Sequence, residues 1–271
     1  MAALWRRASA LATGIPRLRV HRSYFRELII TRTQIDLRVA SLVDFLQEQG
    51  NWSRNGEQLA LHCATSGQAV RYDELFGRIN GAAHALRSCG FQQGDVLNIH
   101  LHNSVEYVIS FLAAASLGGT ITTSNPAYTA TELGFQYADS GATIALTSEL
   151  YRGVVEEAMA MPGSRVRAVA YIEDLSSFPH APAMAEPIRL SRPISPLNDL
   201  VALPYSSGTT GKPKGVCLTH QNLVANIQQS TMDKSCNLGI TENDKLVAIL
   251  PFFHIYGLTV LMCAALAERA S

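Results

Sequence analysis

Residues 205–220 read Tyr205-Ser206-Ser207-Gly208-Thr209-Thr210-Gly211-Lys212-Pro213-Lys214-Gly215-Val216-Cys217-Leu218-Thr219-His220. Four hydroxyl side chains, three glycines and two lysines fall within the ten residues 206–215. Apolar runs flank the stretch, Leu200-Val201-Ala202-Leu203 before it and Val216-Cys217-Leu218 after it, each with strand character. A loop of small residues held between two strands brings its backbone N–H groups close to an anion. Gly208, Gly211 and Gly215 omit the Cβ atoms that would block that approach. Ser206, Ser207, Thr209 and Thr210 add donors, and Lys212 and Lys214 add positive charge. The ligand suited to this chemistry is a polyphosphate. A Ser/Gly linker needs neither two lysines around a proline nor flanking strands. A Walker A loop is excluded, because Lys212 is followed by Pro213 and not by Ser or Thr.

The whole chain has 271 residues, 47% apolar and 16% charged, which is an ordinary globular composition. A formal net charge of zero argues against a nucleic-acid-binding surface. Cys63, Cys89, Cys217, Cys236 and Cys263 show no CxxC spacing, so they suit a reducing compartment and neither a disulfide framework nor a zinc site. No stretch reaches the roughly eighteen unbroken apolar residues of a membrane span. The zero charge hides an asymmetry: Arg6, Arg7, Arg17, Arg19, Arg22 and Arg26 all precede the first acidic residue, Glu27. Leu4, Ala8, Leu11 and Ile15 trace one apolar helical face through them. Residues 1–26 therefore read as a mitochondrial transit peptide, with a plain basic tail as the alternative and peroxisomal or cytoplasmic residence as the other locations.

Beyond the leader the pattern alternates. A short helix is expected within 35–50, a hairpin from 59–63 and 68–70, and a helix capped by Asp73 and closed by Gly90. Strands at 96–101, 120–123, 142–147 and 166–172 then alternate with helices at 104–117, 131–140 and 149–160. This order implies parallel pairing in a layered α/β sheet with flanking helices. Pro179, Pro182, Pro187, Pro193 and Pro196 mark 176–198 as a connection before the phosphate strand. A helix capped by Thr219 or His220 follows, then a strand at 245–250 leading into Pro251-Phe252-Phe253-His254-Ile255-Tyr256-Gly257. A lone histidine in such a place is commonly a satisfied structural residue, and Phe252 and Phe253 suit the core.

The stretch from Ser206 to Gly215 resembles, residue by residue, the phosphate-binding signature of the adenylate-forming enzymes: acyl- and aryl-CoA ligases, luciferases and peptide-synthetase adenylation domains. Gly94-Asp95-Val96, Asn103-Ser104-Val105-Glu106-Tyr107 and Asn125-Pro126-Ala127-Tyr128-Thr129 resemble the acyl-CoA ligases in order and spacing. The segment 251–257 is similar to the acyl-pocket motif of the coumarate-CoA ligase and luciferase branch. The resemblance covers 35–271, an incomplete N-terminal domain, and implies ATP, Mg²⁺ and CoA as cofactors and a small carboxylic acid as substrate. It implies that Ser206, Ser207, Gly208, Thr209, Thr210, Gly211, Lys212, Lys214 and Gly215 surround the phosphates, and that His254 and Tyr256 line the acid's site. The carboxylate would attack the α-phosphorus of ATP and expel pyrophosphate, and the acyl-adenylate would then meet a thiol. The family's adenine motif with its Mg²⁺-binding Glu, its ribose-binding Asp and the mobile C-terminal domain with its catalytic Lys would lie beyond Ser271, so no catalytic or metal-ligating residue is assigned here. The expectations are a ligase sequence inactive on its own, a non-catalytic short form acting through an exposed apolar face of the last helix, or luciferase-like oxidation of an adenylate. If the Arg-rich leader directs import, the intact mass of the endogenous protein will show it removed; a mass retaining residues 1–26 would overturn the mitochondrial reading.

Overall fold

The computed structural model describes residues 37–54, 56–173, 186–206, 213–232 and 238–271. The leader and part of the proline-bearing connection lie outside these. Ser41 caps α1 (Leu42–Gln49), its hydroxyl accepting from the Asp44 N–H. A hairpin follows, β1 (Leu59–His62) antiparallel to β2 (Ala69–Arg71). It runs directly into α2 (Tyr72–Ser88), whose N-cap is Arg71 and not Asp73. Tyr72 N–H is already bonded to the Gln58 carbonyl, and Asp73 is turned back to accept from the Arg71 guanidinium, so Asp73 caps nothing. Glu74 instead receives the Arg71 N–H at 3.2 Å. Gly90, at φ +88°, ends the helix in a conformation that side-chain-bearing residues resist.

The central sheet comprises β3 (Val96–His100), β4 (Thr120–Thr123), β5 (Ile144–Thr147), β6 (Ala168–Tyr171), β7 (Leu200–Ala202) and β10 (Leu218–Thr219). Its order is β10-β7-β4-β3-β5-β6, with every pair parallel except β7 with β10. Three helices form the crossovers: α3 (Val105–Ser116), α4 (Ala130–Ser140) and α5 (Arg152–Met159). From β3 the chain steps to β4 on one side, then crosses to β5 on the other. The strand order thus reverses beside β3, the place where open α/β sheets leave a crevice at their carboxyl ends.

Both faces of the sheet are covered, as strands alternating with helices demand. On one face Leu97, Ile99, Ile121, Ile144 and Leu146 pack with α1, α2 and α3. On the other, Ala145 packs with Leu133 and Tyr137 of α4 and Val155 and Ala158 of α5. Thr219 caps α6 (His220–Thr231), with Asn222 completing a reciprocal cap. The last segment is π-helical over Gly257–Cys263 and continues as α7 (Ala264–Ala267).

Two further expectations are corrected here. Residues 245–250 form no strand, because no described strand lies beside them; Val247 and Ile249 are 75% and 82% exposed. The apolar face of the last helix is not exposed. Leu258, Met262, Cys263 and Leu266 are buried in the main core, and polar ties reinforce the packing. Trp52 Nε1 donates to the Leu266 carbonyl at 3.2 Å and Tyr72 Oη to the Ala270 carbonyl at 2.7 Å. The Arg269 guanidinium donates to the Asn51 carbonyl at 2.6 Å and Gln58 Oε1 at 2.9 Å, and lies 5.1 Å from the Tyr72 ring centroid. Among the described residues no helix is long and apolar enough to cross a membrane.

Two fully buried histidines brace this fold. His220 Nδ1 accepts the Leu42 N–H at 3.0 Å, joining α6 to the start of α1. His100 Nδ1 bonds to Ser124 Oγ at 2.9 Å, and its ring stands edge-on to Tyr151. Burial brings both down to a pKa of about 4. The unfolded chain takes up these protons near pH 6.5, whereas the folded chain refuses them until about pH 4. Stability should therefore fall as pH drops through that window, by up to about 1.4 kcal/mol per pH unit for each histidine. Urea midpoints measured from pH 7 to pH 4 will show this slope, and His220→Gln will reduce it; an unchanged slope would count against the assignment.

Candidate functional site

The two sequence-predicted segments both lie at the carboxyl ends of the sheet's parallel strands. The first follows β7. Leu203 N–H donates to the Ile121 carbonyl at 2.8 Å, and the chain enters a two-stranded ladder of β8 (Tyr205–Ser206) with β9 (Lys214–Gly215). Ser206 is the register partner of Lys214, and Tyr205 that of Gly215. Ser207, Gly208, Thr209, Thr210, Gly211 and Lys212 lie outside the described residues. The expected strand at 216–218 is split: Val216 N–H still reaches the Pro204 carbonyl, but sheet pairing resumes only at Leu218, opposite Ala202. The chain is passing there from one ladder to another.

The stem of this strap is held from below. Thr122 Oγ1 donates to the Leu203 carbonyl at 2.9 Å and accepts from Gln136 Nε2 at 2.7 Å. One turn further along α4, Asp139 accepts from Tyr205 Oη at 2.6 Å. Burial of the phenol and this bond to a carboxylate push the Tyr205 pKa well up, so it remains the donor. A Cβ on Gly215 would lie 3.2 Å from the Tyr205 ring, so this glycine serves close packing of the ladder as well as access for a ligand. Lys214 is exposed, and among the described residues no carboxylate pairs with it.

The second segment is Pro251–Gly257. Phe252 is buried against Tyr107, ring centroids 5.6 Å apart, as a core aromatic should be. Phe253 instead lines a cavity of about 230 Å³ with His102, Asn103, Ala248, Ile249 and Pro251. Thr123 Oγ1 donates to the Phe253 carbonyl at 2.8 Å. Asn103, in the turn after β3, donates from Nδ2 to the Ala248 and Leu250 carbonyls and accepts the Phe252 N–H. His254 and Tyr256 are exposed. The Tyr256 N–H donates to His254 Nδ1 at 3.3 Å, which places the proton of the neutral ring on Nε2. His254 can thus offer a single N–H donor to an acid group. Among the described residues no group of three or more His, Cys, Asp or Glu could hold a metal ion.

Sequence reading singled out Ser206, Lys214, Gly215, His254 and Tyr256, and the structure places them on these two neighbouring segments. It did not find Thr122, Thr123, Gln136 or Asp139, and gave Asn103 no role. Their partners lie up to 149 residues away, and no local pattern announces such bonds.

The family model for the AMP-binding enzyme matches residues 48–271. The chain belongs to the AMP-binding enzyme family. Among relatives of this family member, 4-coumarate-CoA ligase 1 of Narcissus pseudonarcissus is 40% identical over 71% of this chain and 35% of its own length. 4-coumarate–CoA ligase 3 of Oryza sativa subsp. japonica is 35% identical over 89% of this chain and 44% of its own. The chain spans about two fifths of the curated relatives it matches. ATP-bound MatB from Rhodopseudomonas palustris superposes with a TM-score of 0.69 at 28% identity, over 84% of this chain and 44% of that one. VinN, at 22% identity and a TM-score of 0.73 over 87% of this chain and 59% of that one, shares the fold. The layered α/β architecture expected from the sequence is that of the adenylate-forming enzymes' N-terminal domain.

Gly257 opens the π-helical stretch that follows the second segment. A Cβ there would stand 2.2 Å from the Pro251 carbonyl oxygen, so the backbone must move to admit one. Gly257→Ala should cost about 2 kcal/mol and lower Tm by about 4–8 °C. Gly153→Ala, with open space at its Cβ, serves as the control. Equal melting of the two variants would contradict the close approach.

Proposed function

We propose that the chain is the phosphate- and acid-binding part of a carboxylic acid–CoA ligase. A carboxylate attacks the α-phosphorus of ATP, pyrophosphate departs, and the acyl-adenylate passes to the thiol of CoA. The observation that carries this reading is the Ser206–Lys214 rung, which sets a hydroxyl beside an exposed cation at the mouth of the strap. Family membership and the likeness to 4-coumarate–CoA ligases support it. Ser206, Ser207, Gly208, Thr209, Thr210, Gly211, Lys212, Lys214 and Gly215 hold the phosphates. Positive charge and donors there stabilise the negative charge that gathers on the departing pyrophosphate, which makes catalysis largely positioning and electrostatics. Mg²⁺, which the resemblance implies, would share the negative charge of the phosphates, and no step is assigned to it.

His254 and Tyr256 line the acid's site. His254 donates from Nε2 and orients the carboxylate; it abstracts no proton, since an ionised carboxylate has none to give. An aryl acid such as 4-coumarate is the first substrate to test. These 271 residues are expected to bind ATP without turning it over, because the adenine, ribose and lysine elements implied by the resemblance are not among them.

Titration of the purified chain with ATP should show binding that Lys214→Met weakens about tenfold, the loss of roughly one charge-assisted contact. Binding indifferent to Lys214 would sink the phosphate site. Acid-dependent ATP–pyrophosphate exchange should be absent; measurable exchange would show that these residues suffice for adenylation.

A further inference from the structure

We infer that Asn103 is a positioning residue for the acid-facing segment, acting on His254 through the backbone of residues 248–252. The inference deepens, and rests on, the reading of His254 given above. An asparagine carboxamide has two N–H donors and one acceptor oxygen. Asn103 commits all of these to one distant segment: Nδ2 donates to the Ala248 carbonyl at 2.9 Å and to the Leu250 carbonyl at 2.8 Å, and Oδ1 accepts the Phe252 N–H at 2.7 Å. The three partners are alternate residues, the spacing at which a neighbouring strand would bond. Residues 245–250 have strand-like sequence but no described strand beside them, and one side chain takes over part of a strand's work.

Little else holds this stretch. Val247 and Ile249 are exposed and add scant burial, and Leu246 N–H is bonded to the Ser271 carbonyl at the far end. After Phe252 the constraint is passed on in short steps. Thr123 grips the Phe253 carbonyl, His254 N–H donates to the Pro251 carbonyl at 3.1 Å, and Leu258 N–H donates to the His254 carbonyl at 3.0 Å. The His254 ring is exposed and touches only the Tyr256 N–H among the hydrogen bonds described, so its place is dictated by its backbone. The same clasp sets the separation of Pro251 and Phe253 from His102 across the cavity. Hydrogen bonding and shape make different demands on this position. Aspartate has the same shape and can still accept from Phe252, but it turns an oxygen toward two carbonyl oxygens.

The test compares Asn103→Asp, Asn103→Ala and the parent, each as the full chain. Amide hydrogen exchange is read by mass spectrometry across 248–256, and the His254 ring by its imidazole NMR resonances. Loss of the clasp should speed exchange of the Phe252 amide by about tenfold or more in both variants, the aspartate faring no better than the alanine. The His254 resonances should shift, while α3 keeps the parent's protection. Thr123→Val, which removes the Phe253 anchor, should move the His254 resonances and leave the Phe252 amide unchanged. Parent-like exchange and resonances in Asn103→Asp would overturn the inference, because they would reduce Asn103 to a shape. If neither variant folds, Asn103→Ser, which retains one hydroxyl, decides in the same way. No measurement uses ATP or an acid, so failure of the ligase reading and failure of the clasp are separately visible.

Discussion

Two consecutive hydroxyls on β4 hold the site's two segments to one strand. Successive side chains of a strand point to opposite faces. Thr122 accordingly reaches the Leu203 carbonyl at the stem of the strap, and Thr123 the Phe253 carbonyl on the other side. Each neutral bond is worth only about 1 kcal/mol net, so their importance lies in geometry more than in stability. A strand buried between parallel neighbours is the most rigid ruler a sheet has, and both segments are measured from the same two residues. That arrangement requires β4 to lie between β7 and β3, which the crossover through α3 and the return to β7 secure. The second tier supports the first: Gln136 donates to Thr122 Oγ1 and to the Thr123 carbonyl, so α4 steadies both at once.

Much of the fold was legible because it is built from burial. The apolar periodicities of 73–90, 104–117 and 131–140 report buried faces, and burial is what the sheet and its helices provide. Apart from the last helix, whose apolar face is covered by residues distant in sequence, the errors fall where pairing, not burial, decides. Residues 245–250 have the residue types of a strand, yet a strand exists only where a partner supplies hydrogen bonds. Asp73 is the right residue type for a cap in a place where Tyr72 is already bonded and the guanidinium of Arg71 claims the carboxylate. The strap was recognisable because its chemistry is concentrated in ten successive residues. Asn103 was not, because its three bonds join parts of the chain 145 to 149 residues apart. Long-range polar contacts leave no periodicity, and the residues that place a site are more hidden in a sequence than those that compose it.

The docking of residues 266–270 onto α1, β1 and α2 has a consequence for how the protein is made. Trp52, Tyr72 and the carbonyls of Gly50 and Asn51 receive their partners from residues 198 to 219 positions later. During synthesis the first layer emerges with these groups unsatisfied and its apolar side uncovered. Contacts of such sequence separation form slowly, since a long loop must close before they stabilise anything. The amino-terminal layer must therefore wait, partly assembled, until the last turn of α7 leaves the ribosome. Chaperone binding to nascent chains should concentrate in that interval, when hydrophobic surface is present and its cover is still being made.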